Sequence, residues 1–175
     1  MIEAKEPVKI LLIEDSPEYR RVIDLAFQRD KQLDLILSTG TAERALEVLG
    51  RIQHDLERPD LILLDLNLPG MGGLAAIPRL LTTSPSSKIL VISQSDKEVD
   101  VMAAISAGAS GYLLKSSEIP HVKESIQIVM AGGAALDSQS TLYSGTNSQT
   151  YSLVSLSIEY PRVLTFENIL GTPTS

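Results

Sequence analysis

The sequence predicts an α/β fold: a doubly wound, five-stranded parallel sheet in the strand order 2-1-3-4-5, covered by five helices. Two observations lead there. Five short aliphatic runs alternate with five stretches of helical periodicity. Several of the runs are almost continuously apolar rather than alternating, as strands buried on both faces of a sheet are. Right-handed crossovers then make a parallel sheet with helices on both sides the expected arrangement.

The first run, Val8–Ile13, leads to Ser16 and Pro17, a capping residue followed by a proline suited to the first helical position, with Glu18 behind them. The helix expected over Pro17–Arg29 shows Val22, Ile23, Ala26 and Phe27 on one side. The second run, Leu33–Ser38, passes through the cap Thr41 into a helix over Ala42–Asp55. There Ala42, Ala45, Leu46, Leu49 and Ile52 recur at steps of three or four. The third run, Asp60–Leu64, precedes a helix over Gly73–Thr83 in which Pro78 should distort the preceding turn. The fourth, Lys88–Ile92, precedes Lys97–Ala107, closed by Gly108. The fifth, Gly111–Leu114, precedes Pro120–Ala131, closed by Gly132.

At 175 residues the chain holds one domain and an appendage, and with 43% hydrophobic residues it can bury a core. Two Phe, five Tyr and no Trp make that core aliphatic. No Cys is present, so no disulfide forms, which fits a reducing cytoplasm. No apolar run approaches the roughly 20 residues that span a bilayer. A net charge of -7 argues against a broad electrostatic grip on nucleic acid. Composition changes after Leu136, dividing the chain into a folded domain over 1–136 and a tail over 137–175. The tail has eight Ser, six Thr and Arg162 as its one basic residue. It is expected to be largely disordered or loosely attached, with Tyr151–Ile158 as the one stretch suited to an added edge strand.

In open α/β sheets, ligands bind beyond the carboxyl ends of the strands. Strand one is followed by Glu14 and Asp15, strand three by Asp65, strand four by Ser93 and strand five by Lys115. Three carboxylates, a hydroxyl and an ammonium would therefore meet on one rim. Clustered carboxylates raise one another's pKa unless a cation joins them, and Mg²⁺ suits hard oxygens. An ionised carboxylate is also a nucleophile toward phosphorus and needs no base. Phosphoryl transfer asks for in-line positioning and charge neutralisation, which a metal, Lys115 and Ser93 would supply.

The segments Lys9-Ile-Leu-Leu-Ile-Glu-Asp15, Asp60-Leu-Ile-Leu-Leu-Asp-Leu-Asn-Leu-Pro-Gly-Met71, Leu90-Val-Ile-Ser93 and Gly108-Ala-Ser-Gly-Tyr-Leu-Leu-Lys115 resemble response-regulator receiver domains of the flavodoxin/CheY-like fold. The resemblance runs from about residue 8 to 135. With Met130-Ala-Gly-Gly-Ala-Ala-Leu136 it is most like the NarL/FixJ branch. It implies Asp65 as phosphoacceptor, and Mg²⁺ held by Asp15, Asp65 and the main-chain carbonyl of Asn67, with Glu14 acting through a water. It also implies Ser93 and Tyr112 as the switch pair, and Lys115 as the partner of the phosphate. On phosphorylation Ser93 would be drawn toward the phosphate and Tyr112 would rotate inward. Three positions depart from the pattern: Gln94 replaces a small residue, Gly72 replaces Asp or Asn, and Ser116 replaces Pro.

The expected partners are a sensor histidine kinase and a second copy of the chain, with no membrane and no DNA. The expected chemistry is self-directed aspartyl phosphorylation and dephosphorylation, not enzymatic turnover. An alternative output is that of a LuxR-type DNA-binding regulator, a branch whose members carry a helix-turn-helix of roughly 60 residues and several basic side chains. The tail matches neither that length nor that charge. A metal-dependent phosphatase is the rival of another class, but its second acid, two residues after the nucleophile, is here Asn67.

Overall fold

The computed structural model describes residues 6–137. Its elements alternate as β1 (Val8–Ile13), α1 (Pro17–Phe27), β2 (Leu33–Thr39), α2 (Ala42–Arg51), β3 (Leu61–Leu64), α3 (Gly73–Thr83), β4 (Lys88–Ser93), α4 (Glu98–Ser106), β5 (Gly111–Leu114) and α5 (Ile119–Met130), followed by β6 (Ala135–Leu136). All pairings are parallel, in the order β2-β1-β3-β4-β5-β6. The predicted order of five is present, and a sixth strand of two residues extends it.

Strand side chains alternate between the two faces, so the continuous apolar runs feed two separate cores. Leu11, Ile13, Ile62, Leu64, Ile89 and Val91 face α2, α3 and α4. Ile10, Leu12, Leu61, Leu63, Leu90 and Leu113 face α1 and α5, meeting Ile23 and Phe27 from one and Val122, Ile126 and Val129 from the other. Val22, expected on the inner side of α1, is 49% exposed. The buried stripe is set by Ile23, Ala26 and Phe27, and Val22 lies a hundred degrees around the helix from Ile23.

The helix ends follow local chemistry. The Ser16 hydroxyl accepts the Tyr19 N–H at 3.2 Å, and the Thr41 hydroxyl accepts that of Arg44 at 3.3 Å. The second helix stops at Arg51, four residues before the expected end, because the Ile52 backbone turns extended (φ -72, ψ 118). The Arg58 guanidinium takes the carbonyls of Leu49 and Ile52 at 3.3 and 3.0 Å, and that of Thr83 at 2.9 Å, so one side chain serves the ends of α2 and α3. Across Pro78 the third helix runs on, with the ring on its exposed side.

The edges are handled differently. On β2 the pairing shifts between Ile10 and Leu11, leaving Ile36 as an extra residue that bulges the exposed edge. At the other edge β6 approaches β5 so closely that a Cβ on Gly111 would lie 2.5 Å from the Ala135 carbonyl oxygen; only glycine fits. Asp137, placed with the tail on composition, is 7% exposed. Its N–H donates to the Tyr112 carbonyl at 3.0 Å, and its carboxylate accepts from the Ser117 hydroxyl. The remainder of the tail, including Tyr151–Ile158, lies outside the described residues.

Candidate functional site

The parallel ladder continues one step beyond the strands and carries the polar residues with it. The Glu14 N–H donates to the Thr39 carbonyl at 2.9 Å, the Asp65 N–H to Ile13 at 2.9 Å, and the Lys115 N–H to Ser93 at 2.7 Å. Glu14, Asp65 and Lys115 are thereby fixed at the same level of the sheet, at the rim where strand order reverses.

Their side chains meet. Lys115 Nζ lies 2.8 Å from Asp65 Oδ2 and 2.7 Å from Glu14 Oε2. Glu14 and Asp65 are 1% and 2% exposed, whereas Asp15 faces solvent. Carboxylate oxygens of Glu14, Asp15 and Asp65 all fall within 4.8 Å of one another. One ammonium thus pairs with two of three clustered carboxylates. Burial pushes the Glu14 carboxyl above its ordinary value, against hydrogen bonds from Lys115 and the Ser16 N–H that favour its ionised form. Burial also disfavours the Lys115 ammonium, but the hydrogen bonds to Asp65 and Glu14 outweigh it and hold that pKa above the usual lysine value. Hard carboxylate oxygens, one of them on an exposed residue that leaves room for water, fit a small divalent cation in excess of the lysine.

The backbone around Asp65 is tied down. The Asn67 N–H donates to Asp65 Oδ1 at 3.0 Å, while the Asn67 side chain is exposed. Gly73 opens α3 so near that a Cβ there would lie 2.0 Å from the Asp65 carbonyl oxygen. Gly72 caps this helix without a side-chain hydrogen bond, the local consequence of lacking Asp or Asn there. Ser93 is fully buried, and its hydroxyl accepts the Ser95 N–H at 3.2 Å. Tyr112 is 0% exposed and donates its hydroxyl to the Ser95 carbonyl at 2.8 Å. The ring expected to swing inward already occupies the interior. Gln94 is exposed.

Three contributors were not anticipated. The Arg20 guanidinium donates to the Glu14 carbonyl at 2.7 Å. Glu43 Oε1 accepts the Met71 N–H at 2.7 Å, bracing the Pro69–Gly70 turn, where Gly70 has φ 71. The Tyr19 ring centroid lies 5.2 Å from Lys115 Nζ. The Tyr19 hydroxyl is pushed up to about 12 by burial and then by the charges of Glu14 and Asp65. Arg20 and Tyr19 follow an acidic turn at the start of an amphipathic helix, where periodicity marks only a polar face. Glu43 is 28 residues from Met71, and no local pattern links them.

A doubly wound sheet with this acid–lysine rim is compatible with a receiver domain, and the sequence profile of the response regulator receiver domain matches residues 10–127. The chain belongs to that family, and its relatives point to the NarL-type branch. It is 36% identical over 132 residues to the nitrate/nitrite response regulator protein NarL of Escherichia coli strain K12, covering 75% of this chain and 59% of that protein. It is 30% identical over 137 residues to NarP of the same strain, covering 78% and 61%. A crystal structure of a LuxR-family two-component response regulator from Aurantimonas sp. SI85-9A1 superposes with a TM-score of 0.66 at 26% identity, covering 74% of this chain and 89% of that one. The chain therefore spans about six-tenths of the length of these curated relatives. Among the described residues, no helix is long and apolar enough to cross a membrane.

Proposed function

We propose that this chain is the phosphoryl-accepting part of a two-component signalling system, taking a phosphoryl group on Asp65 from a sensor histidine kinase in the cytoplasm. The observation that carries the reading is the Lys115 ammonium 2.8 Å from an Asp65 carboxylate that is 2% exposed, beside two further acids. Asp65 is already a nucleophile: one carboxylate oxygen attacks phosphorus, the bond to the donor nitrogen breaks, and the donor imidazole keeps the electron pair. Lys115 offsets the charge on the phosphoryl oxygens. The Asn67 N–H holds Asp65 Oδ1 and the Lys115 ammonium lies at Oδ2, so the carboxylate is fixed in one orientation. Asp15 and Asp65, with the Asn67 carbonyl and a water on Glu14, would hold Mg²⁺, which neutralises the entering charge. The chain acts on itself alone and is not an enzyme in the turnover sense.

The phosphorylated state would be read on a protein surface reached through Ser93 and Tyr112, with a second copy of the chain as one partner. A second reading places this receiver in a DNA-binding regulator; the transcriptional regulatory protein DegU of Brevibacillus brevis, 30% identical over 127 residues, favours it. The chain itself, at net charge -7, is expected to bind no DNA selectively.

Acetyl phosphate with Mg²⁺ tests the acceptor. The native chain should gain one phosphoryl group labile to acid and to hydroxylamine, and Asp65→Asn should gain none, because an amide is not a nucleophile toward phosphorus. Undiminished labelling of Asp65→Asn would overturn the assignment.

A further inference from the structure

The Lys115 ammonium has two carboxylates on one side and an aromatic face on the other. Tyr19 enters from the first turn of α1, where its N–H is fixed by the Ser16 hydroxyl at 3.2 Å. Its ring packs against the core shared by α1 and α5 and presents itself 5.2 Å from Lys115 Nζ. That separation is within cation–π range, and the lysine is 12% exposed, so water competes little for the ammonium. A lysine side chain otherwise has several rotamers open to it, and holding one of them is what catalysis by a preorganised charge requires.

We propose that Tyr19 is a positioning residue of the acceptor site, its ring face holding the Lys115 ammonium over Asp65 so that phosphoryl transfer depends on an aromatic at position 19. The proposal rests on Asp65 being the acceptor. The ring acts through its π face. The hydroxyl stays neutral beside Glu14 and Asp65, since burial and their charges make its proton harder to remove. In the reaction with acetyl phosphate, an Asp65 oxygen attacks phosphorus and the bond to acetate breaks; acetate leaves with the electron pair, and no proton moves. Charge collects on the phosphoryl oxygens, which is where a fixed ammonium lowers the barrier.

The experiment compares initial labelling rates by acetyl phosphate at saturating Mg²⁺ for the native chain, Tyr19→Phe and Tyr19→Leu, each also with Lys115→Met. Asp65→Asn and thermal melting serve as controls. Tyr19→Phe should label within about twofold of native, and Tyr19→Leu roughly three- to tenfold more slowly, the range a partly desolvated cation–π contact supports. In the Lys115→Met background Tyr19→Leu should change the rate little, because the group it positions is gone. Native rates in Tyr19→Leu, or the same slowing with and without Lys115, would overturn the proposal. So would slowing that tracks the melting temperature across all variants. Labelling that persists in Asp65→Asn would instead defeat the acceptor reading itself, a different result from either.

Discussion

Lys115 and Asp65, 50 residues apart in the chain, are joined by a 2.8 Å contact between Nζ and Oδ2 that is closed off from solvent on nearly every side. The same ammonium reaches Glu14, 101 residues away. This one cation bridges two buried acids, and their close approach depends on it.

Replacing it should show that dependence. Lys115→Met keeps the volume and removes the charge, leaving Glu14 and Asp65 without their partner; at neutral pH the variant should be less stable by about 3 kcal/mol. The sign with pH follows from Glu14. Its folded pKa is already raised, chiefly by burial, so its ionised form costs stability above its unfolded value, and that cost fades as the pH falls through the folded value. Without the ammonium the folded value rises further. Urea titrations should therefore show the deficit shrinking as the pH is lowered from neutrality; a constant deficit would mean that packing alone was lost.

Asp15 differs from its neighbours in being exposed, so its loss should leave the fold intact. Asp15→Asn is expected to weaken Mg²⁺ binding roughly tenfold or more, judged against the cost of losing even outer metal contacts, with an unchanged melting temperature. Calorimetric titration with Mg²⁺ measures this directly. An unchanged affinity would put the cation elsewhere.

Tyr112 is held by packing and by hydrogen bonds of its hydroxyl to Ser95 and Ser93. Tyr112→Phe removes the 2.8 Å bond to the Ser95 carbonyl together with the contact to Ser93, and should cost about 1–2 kcal/mol. Tyr112→Ala empties a fully buried site and should cost about 3–5 kcal/mol. Denaturant unfolding separates the two. If Phe were as costly as Ala, the hydroxyl rather than the ring would be the anchor.

The amino-acid sequence by itself determined the strands, the helix starts and the polar residue closing each strand. These are local signals: apolar runs of strand length, Ser16 and Thr41 as caps, and turn residues after Leu64 and Ile92. Because a parallel sheet aligns its strand ends, naming those residues was enough to place Glu14, Asp15, Asp65, Ser93 and Lys115 on one rim. Family resemblance added the identity of Asn67 and Tyr112.

Tertiary structure decided what depends on chain segments folding back on one another. The end of α2 was set by Arg58 arriving from beyond the helix, and the exposure of Val22 by which stripe of α1 met the sheet. The sixth strand exists because Gly111 lets the Ala135 backbone approach to where no side chain could stand, and Asp137 joins the fold through bonds to Tyr112 and Ser117. Tyr19 over Lys115 and Glu43 over Met71 are of the same kind. Each is a contact between side chain and partner across tens of residues, with an energy set by distance and desolvation, and neither quantity is written in periodicity or composition.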